Sequence, residues 1–213
     1  KKALDDGYTK YTPVNGLLEL RQAIVNKLAR ENDLHYTVNQ IVVSNGAKQS
    51  VYNLCMALLD PGDEVILPAP YWVSYAEIVK MAGGVPVIAN SSIEQDFKST
   101  PEEIEALITD RTKFILYSSP CNPSGSVFSF EELQALALML QAHEHVLVVS
   151  DEIYEHINFT GEQVSIASFP GMIDRTITVN GFAKGFAMTG WRVGYIAAPK
   201  WVADGCNKVQ GQI

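Results

Sequence analysis

Val146-Leu147-Val148-Val149-Ser150-Asp151-Glu152-Ile153-Tyr154 is the stretch on which the reading of the fold turns. Val146 to Val149 is a continuous apolar run, the pattern of a strand buried on both faces of a sheet. An acid follows almost at once. In open α/β folds ligands gather beyond the carboxyl ends of the strands, so Asp151 stands where chemistry is expected. Two other readings of that acid exist. It could cap a following helix, or it could hold magnesium beside a phosphate loop. The second fails, because no loop of the matching spacing occurs in the chain.

Working outward, the same alternation repeats. Upstream, Ser129-Phe130-Glu131-Glu132 is a capping box that opens a helix to about His143. Lys113 to Tyr117 reads as a strand. Thr100-Pro101-Glu102-Glu103 is another helix start, with Thr at the cap and Pro at the first helical position. Val85 to Ala89 and Glu64 to Leu67 are strands, with a helix from Tyr75 to Ala82 between them and a turn at Pro61-Gly62-Asp63. Ile41-Val42-Val43 is a short strand that leads through Ser44-Asn45-Gly46 into a helix ending near Leu59. Leu17, Leu20, Ala23, Ile24 and Leu28 give Leu17 to Arg30 helical spacing. Downstream, Thr176 to Val179 and Val193 to Ala197 are strands, and a helix begins near Trp201. Strands and helices in alternation predict an α/β layered fold with a mostly parallel sheet.

The 213 residues are enough for one large domain with a substantial core. A formal charge of −8 argues against a nucleic-acid partner, which needs a basic face. No apolar run approaches the length of a membrane span, and no secretory signal is visible. Cys55, Cys121 and Cys206 form neither a disulfide framework nor a zinc pattern, which predicts a reducing, cytoplasmic setting. His143-Glu144-His145 lacks a third ligand, so no metal is expected. The chain opens on Lys1-Lys2-Ala3 and stops at Ile213, and polypeptide is expected beyond both ends.

Four strand ends carry unusual residues. Ser44-Asn45-Gly46-Ala47-Lys48 joins a strand to a helix, where free N–H groups and the helix dipole favour an anion. Ser119-Pro120-Cys121-Asn122-Pro123-Ser124-Gly125 holds Asn122 between two prolines, ready to present its amide. Asp151 and Tyr154 follow the central strand. Finally, Lys184 lies among small and apolar residues, with Arg192 eight positions later. An apolar setting makes a lysine amine nucleophilic, and a guanidinium fork suits a phosphate. Each feature alone is also explained by an ordinary turn, cap or surface lysine. Together, a lysine nucleophile, an acid, an amide, an arginine and a helix N-terminus are the parts a pyridoxal-phosphate site requires.

At this point the sequence resembles the fold-type-I, class-I aminotransferases, in their aspartate aminotransferase branch. The most specific match is Ala183-Lys184-Gly185-Phe186-Ala187-Met188-Thr189-Gly190-Trp191-Arg192-Val193-Gly194-Tyr195. Supporting matches are Tyr11 to Gly16, Pro70 to Tyr75, Asn122 to Gly125 and Ser150 to Tyr154. The resemblance implies a three-layer α/β/α sandwich with a mostly parallel mixed sheet. It identifies residues 1–213 as the pyridoxal-phosphate-binding large domain, with the N-terminal arm and C-terminal small domain outside the chain.

The resemblance also assigns roles. Lys184 forms the Schiff base with pyridoxal 5′-phosphate and shuttles the proton between substrate and cofactor. Asp151 pairs with the pyridine nitrogen, Asn122 and Tyr154 bond the ring's phenolic oxygen, and Trp72 stacks on the ring. Arg192, Gly46 and Ala47 hold the phosphate. Tyr11 reaches the phosphate of a neighbouring subunit, which implies a homodimer. Lys48 meets the distal carboxylate of acidic substrates, the other reading being a solvated lysine; Trp72 and Asn122 also face substrate. The departures are Gly181, Ala183, Cys121 and Ser124, where many relatives carry Ser, Ser, Asn and Thr. The arginine that binds the substrate α-carboxylate in this family lies outside the chain. The expected reaction passes an amino group from aspartate to 2-oxoglutarate. A carbon–sulfur lyase, an aromatic or prephenate aminotransferase and the aminotransferase-like domain of a transcription regulator are the alternatives.

Overall fold

A computed structural model describes residues 1–161 and 163–213. In chain order the elements are α1 (Lys2–Asp5), α2 (Leu18–Asn32), β1 (Ile41–Ser44), α3 (Ala47–Leu58), β2 (Glu64–Pro68), α4 (Ser74–Met81), β3 (Val85–Ala89), α5 (Pro101–Glu105), β4 (Thr112–Ser118), α6 (Phe130–Gln141), β5 (Leu147–Asp151), β6 (Thr176–Gly181), β7 (Gly194–Ala197) and α7 (Lys200–Gln210). The strands make one sheet of order β1-β7-β6-β5-β4-β2-β3. β7 runs antiparallel to both neighbours, β1 and β6, and every other pair is parallel.

Alternation along each strand builds a core on both faces. Val65, Leu67, Phe114, Leu116, Val149, Ile177 and Val179 point to one side, where α3, α4 and α7 cover them. Ile66, Ile115, Tyr117 and Val148 point to the other, against α5 and α6. On that second side α2 packs Ile24 and Leu28 on Ile41, Tyr195 and Ala197. The result is the expected three-layer sandwich. Each buried Leu, Ile or Val side chain contributes about 1.5–3 kcal/mol of transfer free energy, so the two-sided core dominates the stability.

Local signals act where the sequence places them. Thr100 and Ser129 each accept from the backbone N–H three residues on, and Glu103 and Glu132 return the bond. β3 lies at the sheet edge, which tolerates Pro86. Several boundaries differ from expectation by a residue or two. α6 stops at Gln141 and not His143, because its last turn tightens, with His143 N–H donating to the Leu140 carbonyl. The central strand starts at Leu147, one residue late. The helix near Trp201 is α7, from Lys200 to Gln210. Among the described residues no helix is long and apolar enough to cross a membrane.

Candidate active site at the strand ends

β5 ends on Asp151, level with Ser118 of β4 and Val179 of β6. The strand that makes Asp151 part of the sheet also buries it, to 4% exposure. Its Oδ2 accepts from the Tyr75 hydroxyl at 2.6 Å, and its Oδ1 from the Ile153 N–H at 3.2 Å. Burial pushes the carboxyl pKa up to about 6. Those two hydrogen bonds and the charge of Lys184 pull it the other way. An acid so placed calls for a cation facing it.

Above it opens a cleft of about 280 Å³. Trp72 and Tyr75 line one wall, their rings meeting edge to face with centroids 5.5 Å apart. The Lys48 ammonium sits over the Trp72 ring, 4.8 Å from its centroid. Asn122 and Tyr154 line the cleft together, with the Asn122 amide 3.5 Å from the Tyr154 hydroxyl. The Lys184 ammonium stands 5.6 Å from the centroid of the Tyr154 ring. Ala47, Ala183 and Arg192 complete the lining.

The Ala47–Arg192 end is built for an anion. α3 begins at Ala47, so its unpaired N–H groups face the cleft. Gly46 caps it at φ +89°, and any Cβ there would strike the Arg192 guanidinium. Arg192 donates to the Thr189 carbonyl at 2.9 Å and to the Asn45 carbonyl at 3.4 Å, which aims its fork along the helix start. Gly194 opens β7 and has its Cα against the Ala47 backbone, where no side chain fits. Close packing of bare backbone thus lets β7 bring Arg192 to the start of α3.

The cleft gathers Lys184, Asp151, Arg192, Asn122, Tyr154, Trp72, Lys48 and Ala47, with Gly46 directly behind Arg192. Tyr11 is elsewhere, fully exposed in the N-terminal segment. One expectation needs correction. Lys184 is not enclosed by apolar neighbours within this chain. Ala183 is buried, but Lys184, Gly185, Phe186 and Ala187 are exposed. The segment is an isolated turn, closed by the Ala187 and Met188 N–H groups on the Lys184 and Ala183 carbonyls, and it rides on the rim. Sequence reasoning missed Tyr75 as the partner of Asp151. Its signal was its place three residues after Trp72, whose carbonyl accepts from the Tyr75 N–H as the chain turns into α4. His143 bonds Glu105 and His145 meets the Thr109 carbonyl. Among the described residues no group of three His, Cys, Asp or Glu side chains could hold a metal.

The donor set fits pyridoxal phosphate. An amine, a buried acid, an aromatic wall, an amide–phenol pair and an anion corner share one cleft, and the bare backbone at Gly46 lets the Arg192 guanidinium lie against the start of α3. A layered α/β domain with this cleft at its strand ends is the architecture of the pyridoxal-phosphate transferases. The chain belongs to the family described as aminotransferase class I and II, whose model matches residues 1–213. It is 51% identical over 211 residues to the bifunctional aspartate aminotransferase and glutamate/aspartate-prephenate aminotransferase of Petunia hybrida, covering 99% of this chain and 44% of that protein. It is 47% identical to the aspartate/prephenate aminotransferase of Nitrosomonas europaea, covering 99% of this chain and 53% of that one. The aspartate aminotransferase structure from Rhizobium meliloti superposes with a TM-score of 0.97 at 45% identity, over 99% of this chain and 53% of that one. The Thermus thermophilus aspartate aminotransferase with maleate gives 0.95 at 47% identity, over 99% and 55%. The chain spans about half the length of the relatives it matches.

Proposed function

We propose that the full-length protein is a pyridoxal-phosphate-dependent aminotransferase that moves the amino group of aspartate to 2-oxoglutarate. The observation that carries this reading is the convergence of Lys184, Asp151 and Arg192 on one cleft. When bound, pyridoxal phosphate supplies an electrophilic aldehyde and a ring that accepts electrons from the substrate α-carbon.

Each residue has a task that follows from its place. Arg192 and the N–H groups of α3 bind the phosphate and set the cofactor's position. Trp72 stacks on the ring. Asp151 holds a proton on the pyridine nitrogen, and the Tyr75 hydroxyl keeps Asp151 ionised and oriented. Asn122 and Tyr154 donate to the phenolic oxygen. Lys184 would hold the cofactor through its aldehyde, and its free amine would serve as the base for the proton on the substrate α-carbon. Lys48, on the cleft wall, binds the distal carboxylate of an acidic substrate.

Residues 1–213 are read as the large domain of a longer chain, about half of whose length the relatives supply elsewhere. Tyr11, wholly exposed, is the side chain that reaches a second copy, so the active species is a homodimer. The acidic charge and three free thiols suit the cytoplasm. Prephenate is the second acceptor to consider, because several relatives carry it in their names.

The test is a substrate panel on full-length protein with cofactor: aspartate with 2-oxoglutarate, prephenate with glutamate, and cystathionine. Lys184→Ala is expected to abolish transamination and the visible absorbance of lysine-bound cofactor. Retained turnover in that variant refutes the assignment. Turnover of cystathionine alone makes the protein a lyase.

A further inference from the structure

Behind the cleft lies a half-buried polar cluster, on the wall of a second cavity of about 500 Å³, that the reaction does not use. Its centre is Glu155, whose side chain is 5% exposed. Oε1 accepts from the Lys27 ammonium of α2 and from the Asn180 amide of β6, the latter at 2.8 Å. Oε2 accepts from the Asn32 amide at 3.0 Å, and Asn32 in turn accepts from Lys27 at 2.8 Å. His156 borders the cluster, its Nε2 3.5 Å from Glu155 and 3.9 Å from Glu31. Its ring packs edge to face on Phe186, and its Cβ abuts Gly185, so a side chain at position 185 would collide with it.

The position of this cluster in the chain matters more than its strength. Glu155 directly follows Tyr154, which faces the cleft. Asn180 stands four residues before Lys184, and Gly185 directly follows that lysine. The two cleft residues sit on turns with few backbone bonds of their own. Glu155 ties the roots of both turns to each other and to α2, a helix that contributes nothing to the cleft lining.

We propose that Glu155 is a positioning residue: held by Lys27, Asn32 and Asn180, its carboxylate keeps the Tyr154 hydroxyl and the Lys184 amine in fixed relation to each other. The inference rests on the proposed function, since it concerns the two groups that flank the cofactor's aldehyde. A pair that merely stabilised the fold would be replaceable by apolar residues of like size. A clamp on two catalytic turns is not, because small misplacement of reacting groups is costly in rate.

The test uses full-length protein and the variants Glu155→Ala, Glu155→Gln and Asn180→Ala. The first readout is the pH midpoint of the visible absorbance of lysine-bound cofactor. Losing the Tyr154 hydrogen bond makes the phenolic oxygen more basic and tightens its hold on the neighbouring proton, so the midpoint rises by about one unit in Glu155→Ala. Glu155→Gln keeps an acceptor for Asn180 and shifts it less. The second readout needs no cofactor: amide exchange at Tyr154–Ile157 and Ala183–Met188 is expected to speed up about tenfold while β4 stays protected. Asn180→Ala leaves the ion pair in place and serves if Glu155→Ala does not fold; it is expected to speed exchange at Ala183–Met188 alone. An unchanged midpoint, or exchange that rises evenly through the domain, overturns the clamp. A wild-type protein without the visible band overturns the functional reading itself, and the clamp with it.

Discussion

The Tyr75 hydroxyl donates to Asp151 Oδ2 at 2.6 Å, and both side chains are buried. That bond joins the first turn of α4 to the end of β5 and leaves the other Asp151 oxygen to a backbone N–H. It lowers the Asp151 pKa against the larger upward push of burial. Tyr75→Phe keeps the ring edge against Trp72 and removes only the hydroxyl. The acidic limb of kcat/KM is then expected to move to higher pH, because Asp151 must be ionised to hold the ring-nitrogen proton. A hydrogen bond to a charged group is worth about 1.5–3 kcal/mol, so activity at pH 6 falls roughly tenfold or more. A superimposable pH–rate profile counts against the role given to Tyr75.

Glu152 carries the next prediction. It is 1% exposed, and burial raises its pKa to about 7. Oε1 accepts from Ser150 and Ser165, whereas Oε2 has no partner among the described residues. A carboxyl whose folded pKa is raised binds its proton more tightly in the native state. Its contribution is therefore favourable near pH 4.5 and is lost as pH climbs towards 7 and beyond. Glu152→Gln removes that loss. The variant is expected to melt at a higher temperature than the parent at pH 8, by an amount on the order of 2 kcal/mol. At pH 4.5 the two should melt alike. Calorimetry at both pH values checks this, and a lower melting temperature at pH 8 contradicts it.

Two glycines with nearly equal positive φ separate strain from function. Gly46 and Gly62 have φ values of +89° and +92°. A Cβ at Gly62 meets nothing within 4 Å, whereas one at Gly46 meets the Arg192 guanidinium. Both changes to Ala cost roughly 1–3 kcal/mol of stability from the positive φ. Only Gly46→Ala is expected to weaken cofactor binding, by tenfold or more in equilibrium dialysis of pyridoxal phosphate. Equal affinity in the two variants would dismiss the phosphate assignment for this corner.

Lys48 tests substrate choice. Its ammonium rests over the Trp72 ring at the cleft wall. Lys48→Ala is expected to raise KM for aspartate about tenfold or more and to leave KM for a neutral amino acid unchanged, since only the acidic substrate loses an ion pair. A parallel rise for both substrates would make Lys48 a support for Trp72.

The fold was legible because its strands declare themselves. Val148 and Val149 face opposite cores, so the run had to be apolar without a break, and the two capping boxes bond as written. The polar strand ends were legible for the same reason, being departures from an apolar pattern. What escaped were relationships between distant elements. Tyr75 looks like any helix aromatic until β5 brings Asp151 to it. Lys27, Asn32, Glu155 and Asn180 carry no shared signal in the sequence, and only the packing of α2 on β1 and β7 brings them within hydrogen-bond reach of one another. Lys184 shows the converse. Small apolar neighbours suggested enclosure, but a turn of such residues can project as easily as pack.

The strand order has a bearing on biosynthesis. β1 is an edge strand whose one partner is β7, so Ile41 stays unpaired until Ala197 has been made. A ribosome delivers β2 to β6 first, and they can assemble as a parallel sheet with α3 already in place. The anion corner comes later, because Arg192 and Gly194 emerge only after β6. Contacts this far apart in sequence form slowly. A nascent chain halted short of β7 would hold most of the core and be unable to seize the cofactor.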